Sequence, residues 1–294
     1  MTILVTGATG RVGRHLVGQL AARGNRVRAM TRDLTTAALP AEVEAFQGDL
    51  QKPETLQSVL ADIDRVFLIP FEGEVDPLIE LMQRSGVRHV VVLSSMAVDE
   101  SVADDNADFQ IGLERAVERG GFDWTHLRPC GFMANTLDWA ESIMTRGVVR
   151  APYGQAAHPY IHEADIAAVA VAALTEDGHS TMKYELTGPH AISLIDQVRY
   201  IKRAINREIR FEELTPDEAR EVWRHEWSSS LSPEDCHELT EWLLEMQAKW
   251  VDAPVQPLPT VRRVTGRPPR TFAQWADEHA TEFLSVNVRP HYAS

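Results

Sequence analysis

The chain has 294 residues, of which 44% are apolar and 24% charged, the proportions of a folded globular protein. A net charge of −14 repels a phosphate backbone and excludes unaided nucleic-acid binding as the main role. No apolar run approaches the roughly 20 residues that span a bilayer, and two cysteines, Cys130 and Cys236, are too few for a disulfide framework or a zinc site. With no signal-peptide pattern at the start, the expected compartment is the cytoplasm.

The first half alternates short β-rich runs with helical ones. Strands are predicted at Ile3–Thr6, Arg26–Thr31, Val43–Gln47, Arg65–Ile69, His89–Leu93 and Trp124–Leu127. Between them, Arg11–Arg23, Pro53–Ala61, Val75–Ser85 and Ala107–Arg119 carry apolar residues at helical spacing. Ile3-Leu4-Val5 and Val90-Val91-Val92-Leu93 are apolar without alternation, as strands covered on both faces are. The order strand, helix, strand implies a parallel sheet with right-handed crossovers. The fold class is therefore α/β, a Rossmann-like doubly wound parallel sheet with a smaller, mostly helical C-terminal lobe.

Further on, Asp165–Leu174 reads as a helix and Lys183–Leu186 as a strand. Ser193 caps a helix through about Ile205, and Ile209–Glu212 reads as a strand. Thr215-Pro-Asp-Glu and Ser232-Pro-Glu-Asp signal helix starts, and Ala253–Thr260 is a proline-rich link. Five tryptophans (Trp223, Trp227, Trp242, Trp250 and Trp275) fall in this part and read as lobe packing rather than as a pocket wall. The expected domains are 1–150 for the nucleotide-binding sheet, to which 160–187 return, 188–285 for the lobe, and 286–294 for a tail.

Thr6-Gly7-Ala8-Thr9-Gly10-Arg11-Val12-Gly13 holds the strongest chemistry. Three glycines follow a strand and open a helix, so a tight turn brings bare backbone to a pyrophosphate at the helix N-terminus. The end of the second strand selects the cofactor. A carboxylate there suits the ribose 2′-hydroxyl of NAD, whereas an arginine suits the 2′-phosphate of NADP. Thr31 leads into Arg32, with Asp33 next and Arg11 in the loop, so NADP(H) is favoured over NAD(H).

On these residues the sequence resembles the NmrA-like branch of the atypical short-chain dehydrogenase/reductases, over nearly its whole length. The opening motif is joined by Gly48-Asp49-Leu50, Leu93-Ser94-Ser95, Trp124–Pro129, Gly131–Asn135, Asp165-Ile166-Ala167, Tyr184–Pro189 and Thr265–Pro269. The resemblance implies a cofactor-binding set of Gly7, Thr9, Gly10, Arg11, Val12, Gly13, Thr31, Arg32, Asp49, Leu50, Ile69, Pro70, Ser94 and Pro129. It also implies that Phe132 and Asn135 line the substrate site. Trp139 reads equally as pocket wall or core, and Asn135 also reads as the N-cap of a helix over Thr136–Thr145.

The wider superfamily works through Tyr-x-x-x-Lys plus a serine, the tyrosine passing a proton as hydride moves. Here none of Tyr153, Tyr160, Tyr184, Tyr200 and Tyr292 has a lysine four residues on, and Phe109-Gln110-Ile111-Gly112 stands near the motif's place. Three readings follow. The first is an NADP(H)-dependent reductase of a quinone, imine, enone or carbonyl, in which Ser95 polarises the acceptor and Tyr153, His158 or His162 donates a proton. The second is a redox sensor acting through a protein partner, and the third a cofactor-retaining non-redox enzyme of the cyclase kind.

Each named residue also has a plainer role. Ser95 reads equally as a strand-end hydroxyl, and Gln110, which is placed to bond a substrate oxygen, reads mainly as an exposed helix residue. His158 and His162 lack the helix and third ligand that a metal needs, so no metal is expected. The expected partner is a small-molecule substrate, with no membrane and no direct nucleic acid; homodimerisation is compatible with this reading.

Overall fold

The computed structural model describes residues 1–35, 37–98, 100–101, 109–228 and 231–285. In chain order the elements begin with β1 (Thr2–Val5), α1 (Gly13–Ala22), β2 (Arg26–Thr31), β3 (Glu44–Gln47), β4 (Arg65–Leu68), α2 (Asp76–Arg84), β5 (His89–Leu93), α3 (Phe109–Arg119) and β6 (Asp123–Pro129). Next come α4 (Ala140–Arg146), β7 (Val148–Ala151), β8 (Ala157–His158), α5 (Glu163–Thr175), β9 (Met182–Leu186), β10 (Ile192–Ser193) and α6 (Leu194–Ile205). The chain closes with β11 (Arg210–Glu213), α7 (Pro216–Glu226), α8 (Pro233–Asp252), α9 (Thr260–Thr265) and α10 (Phe272–Glu278). Ala107 and Asp108 of the predicted helix Ala107–Arg119, and the tail 286–294 with Tyr292, lie outside the described residues.

The chain's contacts divide it into two units, the first comprising Met1–Cys130, Glu163–Thr187 and Pro259–Pro268. Its seven strands form one parallel sheet in the order β3-β2-β1-β4-β5-β6-β9. Leu4, Val66, Leu68, Val90 and Val92 pack on one face with Leu78, Ile79 and Met82 of α2 and Leu113, Ala116 and Val117 of α3. Their alternates Ile3, Val5, Phe67 and Val91 are fully buried, and α1 packs along α5. Burial on both faces is why these strands are apolar throughout. The order reverses between β1 and β4, which is where doubly wound sheets open a crevice for ligands.

In this unit one predicted element is corrected. Pro53–Ala61 forms only a single 3-10 turn, Pro53–Thr55, followed by turns. Leu56, Val59 and Leu60 are buried as their helical spacing requires. However, the Arg28 guanidinium donates to the carbonyls of Val59 and Ala61, both at 2.8 Å, so those acceptors are taken up across the chain. The apolar spacing predicts the burial but not the helix.

The second unit comprises Gly131–His162, Gly188–Leu258 and Pro269–Ser294. It pairs β7 with β11 in parallel and β8 with β10 antiparallel. One core gathers Met133, Leu137, Ile143, Val149, Val198, Ile201 and Trp275, and a second gathers Leu214, Ala219, Trp223, Trp227 and Leu244. The capping signals hold: Ser193 accepts from the Asp196 amide, Thr215 forms a capping box with Glu218, and Ser232 accepts from the Asp235 amide. Trp223 and Trp227 stack at 5.3 Å inside this packing, whereas Trp242 is exposed. The helix expected over Thr136–Thr145 is instead a 3-10 turn, Met133–Trp139, leading into α4, and Asn135 makes no cap. The buried Met133 fixes that earlier start, its amide donating to the Ile161 carbonyl at 2.9 Å.

Candidate functional site

In the first unit the cofactor candidates gather at the carboxyl ends of adjacent strands. The glycine loop leaves β1 with Gly7 at φ +58, left-handed backbone that suits glycine. A Cβ there would meet Ile69 Cδ1 at 2.6 Å, and one at Gly13 would meet the Gly7 carbonyl oxygen at 2.1 Å. The Ala8 amide donates to the Met30 carbonyl at 3.1 Å, and the hydroxyls of Thr9 and Thr31 lie 3.5 Å apart, so the loop and the end of β2 share one place. Val12, just before α1, gives no side-chain cap, and no acidic residue stands in the first turn of α1. That leaves a helix N-terminus with no side-chain cap and positive potential, the chemistry a pyrophosphate needs. The residues present therefore fit a dinucleotide.

At the end of β2, Asp33 Oδ1 accepts from the Thr35 amide at 2.8 Å and from the Thr35 hydroxyl at 2.7 Å. Arg32 is exposed and has no ion-pair partner among the described residues. Asp49 and Leu50 follow β3, Asp49 Oδ1 accepting from the Gln51 amide and Leu50 being buried. Ile69 and Pro70 follow β4, half-buried, with the Ile69 amide donating to Thr6 Oγ1 at 3.0 Å.

Beyond β5, the Ser94 amide donates to the Leu127 carbonyl at 2.7 Å, and the Met96 amide donates to the carbonyl of Pro129 at 3.0 Å. Ser95 Oγ accepts from the Ala97 amide at 3.0 Å, which leaves its own proton free to donate. Gln110 is half-buried in the first turn of α3. α3 buries Glu114 completely against β6. Arg128 Nε donates to Glu114 Oε1 at 2.9 Å, and its Nη2 donates to Oε2 at 2.5 Å. Burial pushes the Glu114 carboxyl up, but these bonds and the neighbouring His126 more than offset it and hold its pKa below the ordinary value. Glu100 accepts a further bond from Arg128 Nη1 at 2.6 Å.

Sequence reading missed this buried pair. Its only local signal is a charge on the apolar stripe of α3, between Ile111 and Val117. Glu114, Glu118 and His126 bring one ligand atom each within 4.8 Å of one another. Arg128 and Lys183 already neutralise those carboxylates, which is a poor setting for a cation.

The second unit holds the other named residues. Phe132 is extended and half-buried, Asn135 is exposed, and Trp139 packs against the first core of this unit. Tyr153 has φ +53 and lies against the Trp223–Trp227 cluster, while the next amide, Gly154, donates to the Glu213 carboxylate at 3.0 and 3.1 Å. His162 is fully buried, its Nε2 3.1 Å from Glu278 Oε2. His158 is buried under Trp250, stacked at 4.1 Å, and its Nε2 accepts from the Gly131 amide at 3.3 Å. Burial pulls its pKa down to about 4, so it is a neutral ring near neutral pH. Cys130 and Cys236 are both buried and unbridged.

Residues 7–177 match the NAD(P)H-binding family. A (4-alkanoyl-5-oxo-2,5-dihydrofuran-3-yl)methyl phosphate reductase of Streptomyces griseus is 39% identical over 286 residues, 96% of this chain and 99% of that one. An NAD(P)H azoreductase of Xenophilus azovorans is 33% identical over 293 residues, with 96% and 99% covered. Among solved structures, the NADPH-dependent quinone oxidoreductase of Escherichia coli complexed with NADPH superposes with a TM-score of 0.76 at 22% identity, covering 94% of this chain and 99% of that one. Among the described residues, no helix is long and apolar enough to cross a membrane.

Proposed function

The chain belongs to the NAD(P)H-binding family, with the fold of the NmrA-like atypical short-chain dehydrogenase/reductases, and we propose that it is an NADPH-dependent reductase of a small organic acceptor. The acceptor is a quinone, imine, enone or carbonyl, reduced without a Tyr-x-x-x-Lys relay. The observation that carries the cofactor choice is the pairing at the end of β2. Asp33 is turned onto Thr35, while Arg32 stands exposed with its fork of donors open to a 2′-phosphate. Two full-length relatives named as reductases support the reaction class.

Bound NADPH would supply the hydride. The uncapped N-terminus of α1 would hold its pyrophosphate, with Thr9, Arg11 and Val12 beside it. Ser95 Oγ, anchored by the Ala97 amide, would donate its proton as a hydrogen bond to the acceptor's oxygen or nitrogen and stabilise the charge arriving there. A conjugated acceptor spreads that charge, so water can complete its protonation and a buried tyrosine–lysine pair is not required. The Glu114–Arg128 pair joins α3 to β6 beside β5, steadying the strand end that carries Ser95.

The test is consumption of NADPH by the purified protein against a panel of quinones, imines, enones and aldehydes. Turnover on at least one conjugated acceptor, with NADPH preferred to NADH, is the expected result. No consumption across the panel would remove the reductase reading.

A further inference from the structure

A cleft of about 140 Å³ lies within the second unit, and every residue lining it belongs to that unit. The rings of Tyr160, Tyr200 and Phe272 form its walls, with Met133 beside them. Tyr200 and Phe272 are tilted by 48° with centroids 6.0 Å apart, so they present both a face and an edge. A space of about this size, near 150 Å³ and lined by apolar side chains, takes one benzene ring. Aromatic walls favour a ring over a saturated group of equal size, because edge and face carry opposite partial charge. Met133 is flexible and polarisable and adapts to the ring's outline.

The polar groups of the cleft narrow the ligand further. Among the described residues no aspartate, glutamate, lysine or arginine lines it, which disfavours an ion. The Thr271 hydroxyl is committed, accepting from the Gln274 amide at 3.3 Å and donating to Gln274 Oε1 at 3.1 Å. The Tyr200 hydroxyl and the His190 imidazole have no hydrogen-bond partner among the described residues, and each can give or take a proton in a hydrogen bond. We propose that this cleft is a binding site for a single uncharged aromatic ring carrying a hydroxyl or amino group, of the phenol or aniline type. The lining residues belong to the second unit, and the glycine loop belongs to the first.

The experiment is a calorimetric titration of the cofactor-free protein with phenol and, separately, with cyclohexanol, which matches phenol in size but lacks the ring electrons. Phenol should bind, and cyclohexanol should bind at least about tenfold more weakly. Tyr200→Phe should weaken phenol by about threefold to tenfold, the range of one hydrogen bond. Ala273→Phe, which fills the cleft, should abolish binding, and circular dichroism checks that this variant is folded. Three results would each overturn the proposal: no phenol binding, equal binding of phenol and cyclohexanol, or undiminished phenol binding by folded Ala273→Phe. NADPH titrated on the same samples reports on the other unit, so its failure would count against the reductase reading and not against this site.

Discussion

The carboxylate of Asp33 is committed to Thr35, whose amide and hydroxyl both donate to Oδ1, at 2.8 and 2.7 Å. An acidic residue near the end of the second strand would by itself suggest NAD. On the proposed reading, this engagement leaves the neighbouring Arg32 to meet the 2′-phosphate. Arg32→Asp should therefore lower the ratio of NADPH to NADH affinity at least about tenfold, roughly 1.4 kcal/mol. Titration of both cofactors measures it, and an unchanged ratio would withdraw Arg32 from the phosphate site.

Ser95 holds its place through a bond it accepts, not one it donates. Ser95→Ala should then leave folding and NADPH affinity near wild type and slow turnover about tenfold, close to 1.4 kcal/mol of barrier. If kcat is unaffected on an acceptor the wild type reduces, Ser95 is a structural strand-end hydroxyl.

Two glycines of α1 separate loop geometry from helix propensity. A Cβ at Gly13 would lie 2.1 Å from the Gly7 carbonyl oxygen, whereas one at Gly18 meets nothing within 4 Å. Gly13→Ala should destabilise the protein and abolish cofactor binding, because backbone must move. Gly18→Ala should stabilise it by about 0.5–1 kcal/mol and leave cofactor affinity alone. Thermal melts with and without NADPH distinguish the two.

Acid should weaken the second unit through His158, whose pKa burial lowers from 6.5 to about 4. Between about pH 6.5 and 4 the folded chain keeps the ring neutral, whereas the unfolded chain protonates it. Stability from this group is therefore complete above about 6.5 and is lost as pH falls toward 4. His89 in the first unit, also near 4 through burial and the charge of Arg65, adds the same sign. His158→Gln still accepts from the Gly131 amide but cannot take a proton. Its melting temperature should fall less between pH 6.5 and 4 than that of the wild type. Equal losses would show that His158 is not a source of the acid sensitivity.

The parallel sheet and the glycine loop were legible because their signals are local. Ile3-Leu4-Val5 followed by three spaced glycines determines strand, turn and helix start within a dozen residues. The helix caps at Ser193, Thr215 and Ser232 were legible for the same reason. What sequence reading missed depends on distant partners. Glu114 looks like a defect on an apolar helix face until Arg128, on a different element, supplies its counter-charge. The stretch from Pro53 to Ala61 carries helical spacing, yet it forms a single 3-10 turn followed by turns, with Arg28 of β2 bonding the Val59 and Ala61 carbonyls. Nor could the aromatic cleft be read from sequence, because Met133, Tyr160, Tyr200 and Phe272 meet across well over a hundred residues.

The central claim, that this is an NADPH-using reductase, is tested most directly by titrating one cofactor-free preparation with NADPH and with NADP⁺. A reductase must hold the reduced form ready for an acceptor, and NADPH is expected to bind as tightly as NADP⁺ or more tightly. A sensor reports redox state only through different affinities for the two forms. A strong preference for NADP⁺ would contradict the account and mark the chain as a regulator.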